Sequence, residues 1–363
     1  MFAKLPVCVA VFGIMPILGH SVAWGQIIIP TVNIGSPGNA ADPLVMNDGT
    51  SGYGAVGYAY QIGTTEVTNA QYAAFLNAVA ASDPNDLYNP SMAGAFGGIV
   101  RSGTPGSYVY TTISGRANHP VNFVSFWDAC RFANWLHNCQ PLGPQNSITT
   151  EDGAYAIPAG GGLPGDRNAN WRWAVPTENE WYKAAHHQPF SQGGDADNFW
   201  LFPTSSNTQP TEAQANYSNN LPDATPVGTY PANFYGTRDM AGNVAEWTEA
   251  RGVGGSSDAR YHRGGSFRLG DVRADLRYGP VAANQETNHV GIRVVRSASP
   301  PSPSCLGDVN GDCAVNTVDL VAFLAVFGQA VPVNSAFDLF GDGVVNTLDL
   351  TIFLSFFGTR CGQ

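Results

Sequence analysis

Glycine and proline punctuate this chain so densely that long regular elements have little room to form. They occur 42 and 25 times in 363 residues. Proline removes a backbone donor, and glycine costs conformational entropy wherever it is fixed, so each tends to end the element that contains it. Short strands and long loops are the expected result. Charged residues make up only 12% and apolar residues 44%, which suits a loop-rich globular protein with few long surface helices. Three helix starts are nevertheless legible. Thr68 with Gln71 makes a capping box before QYAAFLNAVA, and Thr177 with Glu180 makes one before NEWYKAA, just after Pro176. Ser125 opens FWDACRFANWL, in which Phe126, Ala129, Cys130, Ala133 and Leu136 fall on one face.

Composition also divides the chain. Residues 1–25 read as a signal peptide: Lys4, then an apolar run, then small residues around Ala23 and Gly25, either of which suits cleavage. The mature protein is therefore expected to be secreted or held at the cell surface, with no membrane span left after processing. Residues 297–304, SASPPSPS, read as a stiff linker between a body (26–296) and a tail (305–363). The net charge of −11 and the lack of a basic patch argue against a nucleic-acid partner.

Export permits disulfides. Past the leader stand Cys130, Cys139, Cys305, Cys313 and Cys361, an odd number. Cys305 and Cys361 bracket the tail and are the expected pair, closing a loop for a gain of about 4 kcal/mol. Cys313 is a competing partner. Cys130 and Cys139 can meet only if their helix ends near His137. His186 and His187 close the third helix, where solvated imidazolium would favour the dipole.

The tail repeats with a period of 30 residues: DVNGDCAVNTVD (308–319) and DLFGDGVVNTLD (338–349). In the first loop Asp308, Asn310, Asp312, Asn316 and Asp319 stand at positions 1, 3, 5, 9 and 12, and the Ala314 carbonyl takes position 7. In the second, Asp338, Asp342, Asn346 and Asp349 do the same with the Val344 carbonyl, while Phe340 displaces the ligand at position 3. This is EF-hand spacing, suited to the six to eight hard oxygens that calcium takes. Cys313 replaces the usual glycine at position 6, where a left-handed backbone would cost about 1 kcal/mol. An apolar helix follows each loop. Two such units without an entering helix resemble a type I dockerin, an all-α module with paired calcium loops. That resemblance implies a cohesin-type partner, with Thr317-Val318 and Thr347-Leu348 helping to select it. The alternative is that the repeat only caps the body.

In the body, EVTNAQYAAFL (66–76), HPVNFVSFWDACRFANWL (119–136), WAVPTENEWYKAA (173–185), DMAGNVAEW (239–247), RGGSF (263–267) and GIRVVR (291–296) occur in the order found in formylglycine-generating enzymes, or sulfatase-modifying factors. The chain resembles that family over most of the body. The resemblance implies an irregular α+β fold related to C-type lectins, with most tryptophans in the core. It also implies two calcium sites. One comprises Asp239, Glu246 and the carbonyls of Gly242 and Val244; the other comprises Asn216, the Tyr217 carbonyl and Asp223.

The family's oxidative members bind copper(I) through two cysteines just beyond the RGGSF segment. Here those positions hold Leu269 and Ala274. Neither side chain ligates a soft metal, so copper is not expected and no catalytic residue is assigned. The His-x3-His-x-Glu pattern of the family's iron-binding relatives is missing as well. What remains is a polar strip of Arg263, Arg268, Asp271, Arg273, Asp275 and Arg277. If extended, residues 271, 273, 275 and 277 share a face. They could neutralise one another, or Arg268, Arg273 and Arg277 could bind a peptide carboxylate, sulfate or acidic sugar. The expectation is a catalytically degenerate scaffold that binds peptide or glycan. An oxidase of the same family using other residues, and an accessory protein of polysaccharide breakdown, stay open as alternatives.

Overall fold

The computed structural model of the chain describes residues 26–159, 163–252, 258–298, 306–309, 313–332 and 335–359. The leader, linker residues 299–304, Cys305, Cys361, Asn310 and Asp312 lie outside them, and with them the expected Cys305–Cys361 pairing. The fold is mixed α/β with few helices. Among the described residues no helix is long and apolar enough to cross a membrane.

Helices α1 (Asn69–Val79), α2 (Phe126–His137) and α3 (Glu178–His186) start at the expected caps. In each, the cap side chain accepts from the third backbone N–H, and that residue's side chain accepts from the cap N–H. Helices α1 and α2 meet through aromatic rings, Phe75 edge-on to Phe132 at 5.3 Å and tilted against Trp135 at 5.2 Å between centroids. Edge-to-face packing of this kind adds to the large area such rings bury. Trp181 and Trp247 are also core residues.

The strands are short. Strands β1 (Thr31–Ile34), β2 (Tyr60–Gly63), β5 (Trp173–Ala174) and β10 (Val295–Ser297) form an antiparallel sheet of order β1-β2-β10-β5. Strands β3 (Ile99–Ser102) and β4 (Val109–Thr112) pair as a ribbon. The second four-stranded sheet has the order β8 (Tyr278–Ala282), β7 (Ala259–Arg263), β6 (Ala245–Arg251), β9 (Val290–Gly291), with β9 parallel to β6. Strand β7 runs straight into RGGSF, so this sheet sets where the polar strip begins.

Two expectations are corrected here. Residues 271–277 form no strand and so have no common face: the chain turns between Arg263 and Tyr278 and buries Val272, Ala274 and Arg277. His186 and His187 are not solvated. Both are buried, His186 bonding the Trp200 carbonyl at 3.0 Å and His187 the Tyr235 hydroxyl at 2.7 Å through Nδ1. Burial lowers their pKa values to about 3 and about 4, so both rings are neutral near pH 7.

In the tail, α4 (Thr317–Ala325) and α5 (Thr347–Phe356) pack through Phe323 and Phe353, 5.2 Å between ring centroids.

Candidate functional site

Gly264 and Gly265 take φ values of +97° and +66° as the chain leaves β7. A Cβ on Gly264 would lie 3.1 Å from Trp181. The turn is closed by Ser266, whose N–H donates to the Leu269 carbonyl and whose hydroxyl accepts from the Leu269 N–H, both at 3.0 Å. Tyr278 then reaches back and donates to the Asp271 carbonyl at 2.6 Å.

This turn places Leu269 and Ala274, the positions that the resemblance matches to copper-binding cysteines, in different surroundings. Leu269 is 49% exposed, whereas Ala274 is fully buried against Met46, Tyr182 and Phe199. A methyl group packed among apolar side chains and an isobutyl group facing solvent offer no thiolate and no redox pair.

The arginines part company as well. Arg277 is buried and donates to both oxygens of Glu178, at 2.7 and 2.8 Å, and to Asp48 at 2.6 Å; its guanidinium lies 3.5 Å from the Tyr261 ring. Arg263 donates to the same Glu178 at 2.8 Å and to the carbonyls of Ala274 and Leu276 at 3.0 Å. Arg277 is therefore withdrawn from the ligand-binding role expected of it, because its donors are spent inside the protein. Arg273 grips Asp275 through two bonds at 2.9 and 3.0 Å, so part of the strip neutralises itself. Arg268 stays exposed beside the Phe96 ring, 5.7 Å from its centroid, with no carboxylate bonded to it among the described residues. An exposed guanidinium flanked by Phe96 and Leu269 can hold an oxyanion or stack on a planar group.

The DMAGNVAEW segment sits behind this loop, and its carboxylates are drawn inward. Glu246 accepts from Arg293 Nε at 2.9 Å and from Nη2 at 2.7 Å, and from the Trp181 indole at 2.5 Å. Glu66 lies 4.0 Å from Arg293, fully buried, and among the described residues neither of its oxygens has a hydrogen-bond partner. Asp239 accepts from the Gly228 N–H through one oxygen, while the other has no hydrogen-bond partner among the described residues. Burial and then the charge of Asp239 push the Glu66 carboxyl well above its ordinary range. Three carboxyl groups thus face one guanidinium. For the calcium implied by the resemblance, the lone oxygen of Asp239 fits a hard cation, whereas both oxygens of Glu246 are already engaged by Arg293.

The second set lies alongside, because Asn216 and Gly242 form a parallel bridge and the Asn216 carbonyl accepts from Asn243 N–H at 2.7 Å. The Asn216 side-chain oxygen is buried without a hydrogen-bond partner among the described residues, a position suited to a cation. Asp223, however, is paired with Arg116. Glu66 and Arg293 were not singled out from sequence. Their signal was a charged residue inside a buried apolar run, as in Ile292-Arg293-Val294-Val295.

In the second tail loop, oxygens of Asp338, Asp342 and Asp349 lie within 4.8 Å of one another. Backbone N–H groups orient them: Gly341 and Gly343 donate to Asp338 at 2.8 Å, and Phe340 donates to Asp349 at 2.7 Å. Three anionic groups this close suit a hard divalent ion. Phe340 points outward, 57% exposed, and supplies no ligand. Asn346 and Asn316 act as helix caps, their side-chain oxygens accepting from Leu348 and Val318 N–H, and the Val344 and Ala314 carbonyls accept from those same asparagines. Asp308 and Asp319 of the first loop are buried. Thr317, Val318, Thr347 and Leu348 occupy the first turns of α4 and α5, with Val318 and Leu348 exposed.

Cys313 does not remain a candidate for Cys305 or Cys361: it is bonded to Cys139, and Cys130 is a buried free thiol. Helix α2 does end at His137, as a Cys130–Cys139 bond would have required, but the turn carries Cys139 toward the tail.

Comparison with known proteins accords with this geometry. The sulfatase-modifying factor enzyme 1-like domain matches residues 54–298. The chain is 30% identical over 215 residues to the formylglycine-generating enzyme of Mycobacterium tuberculosis, covering 52% of this chain and 63% of that protein. It is 27% identical over 223 residues to the mouse formylglycine-generating enzyme, covering 57% and 53%. It thus spans less than two thirds of either relative. The crystal structure of CarF superposes with a TM-score of 0.53 at 22% identity, over 75% of this chain and all of that one, a likeness of fold. The chain belongs to the sulfatase-modifying factor enzyme 1-like domain family.

Proposed function

We propose that this protein is a secreted, calcium-dependent binding scaffold in which the oxidative chemistry of formylglycine-generating relatives has been lost. The observation that carries this reading is the pair Leu269 and Ala274, one side chain facing solvent and the other sealed in an apolar pocket. The loop that would hold copper instead presents Arg268 beside Phe96. That surface suits the carboxylate of a peptide or the acid group of a sugar. The tail is read as a dockerin-like module that takes calcium and docks on a cohesin-type partner, supported by the clustered Asp338, Asp342 and Asp349 and by the exposed Val318, Val321, Leu348 and Leu354 on α4 and α5.

The test uses the purified full chain with copper(I), iron(II) or calcium, under air, with a cysteine-containing sulfatase-type peptide followed by mass. The peptide is expected to stay unchanged in every arm. Conversion to formylglycine above a metal-only control would replace this reading with that of an oxidase using other residues. Two relatives bear the name formylglycine-generating enzyme, which favours that second reading.

A further inference from the structure

We propose that the Cys139–Cys313 disulfide is a thiol-sensitive latch that fixes the tail against the body. The bond joins residues 174 positions apart and crosses the linker at 297–304. Cys139 stands just past the end of α2 at φ +68°, and Cys313 sits in the first tail loop at φ +70°. The body core and the tail core are separate apolar clusters, and Cys139 with Cys313 forms a small cluster of its own. A polar contact reinforces it: Arg172 of the body reaches Asp308 of the tail at 3.4 Å and donates to the Cys139 sulfur at 3.3 Å. Asp308 in turn accepts from the Cys313 N–H at 2.8 Å. The latch therefore also positions the first carboxylate of that loop.

The chemistry balances with a dithiol as co-reactant. The dithiol supplies two electrons and two protons and is oxidised to its own disulfide; the Cys139–Cys313 bond is reduced to two thiols. Attack falls on the Cys139 sulfur, because Cys313 is only 2% exposed; Cys313 then departs as the leaving thiolate, and the positive charge of Arg172 draws the attacking thiolate toward Cys139. Cys139 is only part-buried, so exchange has a route from solvent. Once the bond opens, the linker gives the tail a reach of roughly 25 Å. The proposal is independent of what the tail binds.

The experiment uses the full chain. A non-reducing tryptic map is expected to join peptide 132–167 to peptide 297–360. A map that instead joins 297–360 to 361–363, leaving Cys139 free, would overturn the proposal. Small-angle scattering before and after dithiothreitol, and on Cys139→Ser and Arg172→Ala variants, supplies the second readout. The expected result is a larger maximum dimension on reduction and in Cys139→Ser, with the melting temperature of the body unchanged. Arg172→Ala is expected to keep the compact shape while its disulfide reduces several-fold more slowly. An unchanged dimension after verified reduction would mean that other contacts hold the tail, and loss of the body transition would make the bond a staple of the body; either overturns the latch.

Discussion

Arg277 and Glu178 meet through two parallel hydrogen bonds, Nε to Oε1 at 2.7 Å and Nη2 to Oε2 at 2.8 Å, in a largely buried setting. Arg263 shares the first of those oxygens. Neutralising Glu178 would leave the buried Arg263 without a carboxylate, while Arg277 keeps Asp48, and breaking a buried pair of this kind costs about 3–5 kcal/mol. Glu178→Gln is expected to lower the urea midpoint accordingly, measured by fluorescence. Arg273→Ala should change it by less than about 1 kcal/mol, since its Asp275 partner is near the surface.

Gly270 admits Tyr278. Its φ is +76°, and a Cβ there would fall 2.0 Å from the Tyr278 hydroxyl. Gly270→Ala is expected to break the Tyr278 bond to Asp271 and cost about 1–3 kcal/mol. Hydrogen exchange should show faster exchange across residues 266–278, whereas Tyr278→Phe should loosen the same segment with a smaller loss of stability.

Asp128 predicts a pH dependence. Burial, and then the neighbouring charge of Glu286, raise its pKa from 3.8 to about 7, with Arg131 opposing. The folded state therefore holds a proton that the unfolded chain releases. The associated stability is fully present below about pH 4 and is lost as pH rises through about 7. His186 and His187 act in the opposite sense, their depressed pKa values withdrawing stability as pH falls below 6.5. The difference in urea midpoint between the wild type and Asp128→Asn, followed from pH 4 to 8, isolates the carboxyl. The wild type is expected to lose its advantage toward pH 8.

The second tail loop predicts calcium linkage. At a hundredfold excess over the dissociation constant, an ion bound only by the folded tail adds about 2.7 kcal/mol. Calcium is expected to raise the tail melting transition, and a chelator to lower it. Asp338→Ala and Asp349→Ala should each weaken binding by at least about tenfold in calorimetry. Phe340→Asp should strengthen it, because it restores an oxygen at a position now facing solvent.

Local chemistry made much of this protein legible. Capping boxes at Thr68 and Thr177, and Ser125 as a helix start, marked three helices because a cap is satisfied within four residues. Ordered motifs such as DMAGNVAEW and RGGSF pointed to the family, and Leu269 and Ala274 stand where that resemblance implies copper-binding cysteines. The tail spacing likewise pointed to Asp338, Asp342 and Asp349, whose oxygens lie close together. Other outcomes depended on residues far apart in the chain. His186 is neutral because packing removes its water, and Arg277 is unavailable because Glu178, about a hundred positions away, claims its donors. Glu66 acquires its significance only beside Asp239 and Arg293. The pairing of Cys139 with Cys313 was beyond sequence for the same reason: cysteine spacing constrains loops, but which sulfurs meet is set by how the end of α2 and the first tail loop are carried together.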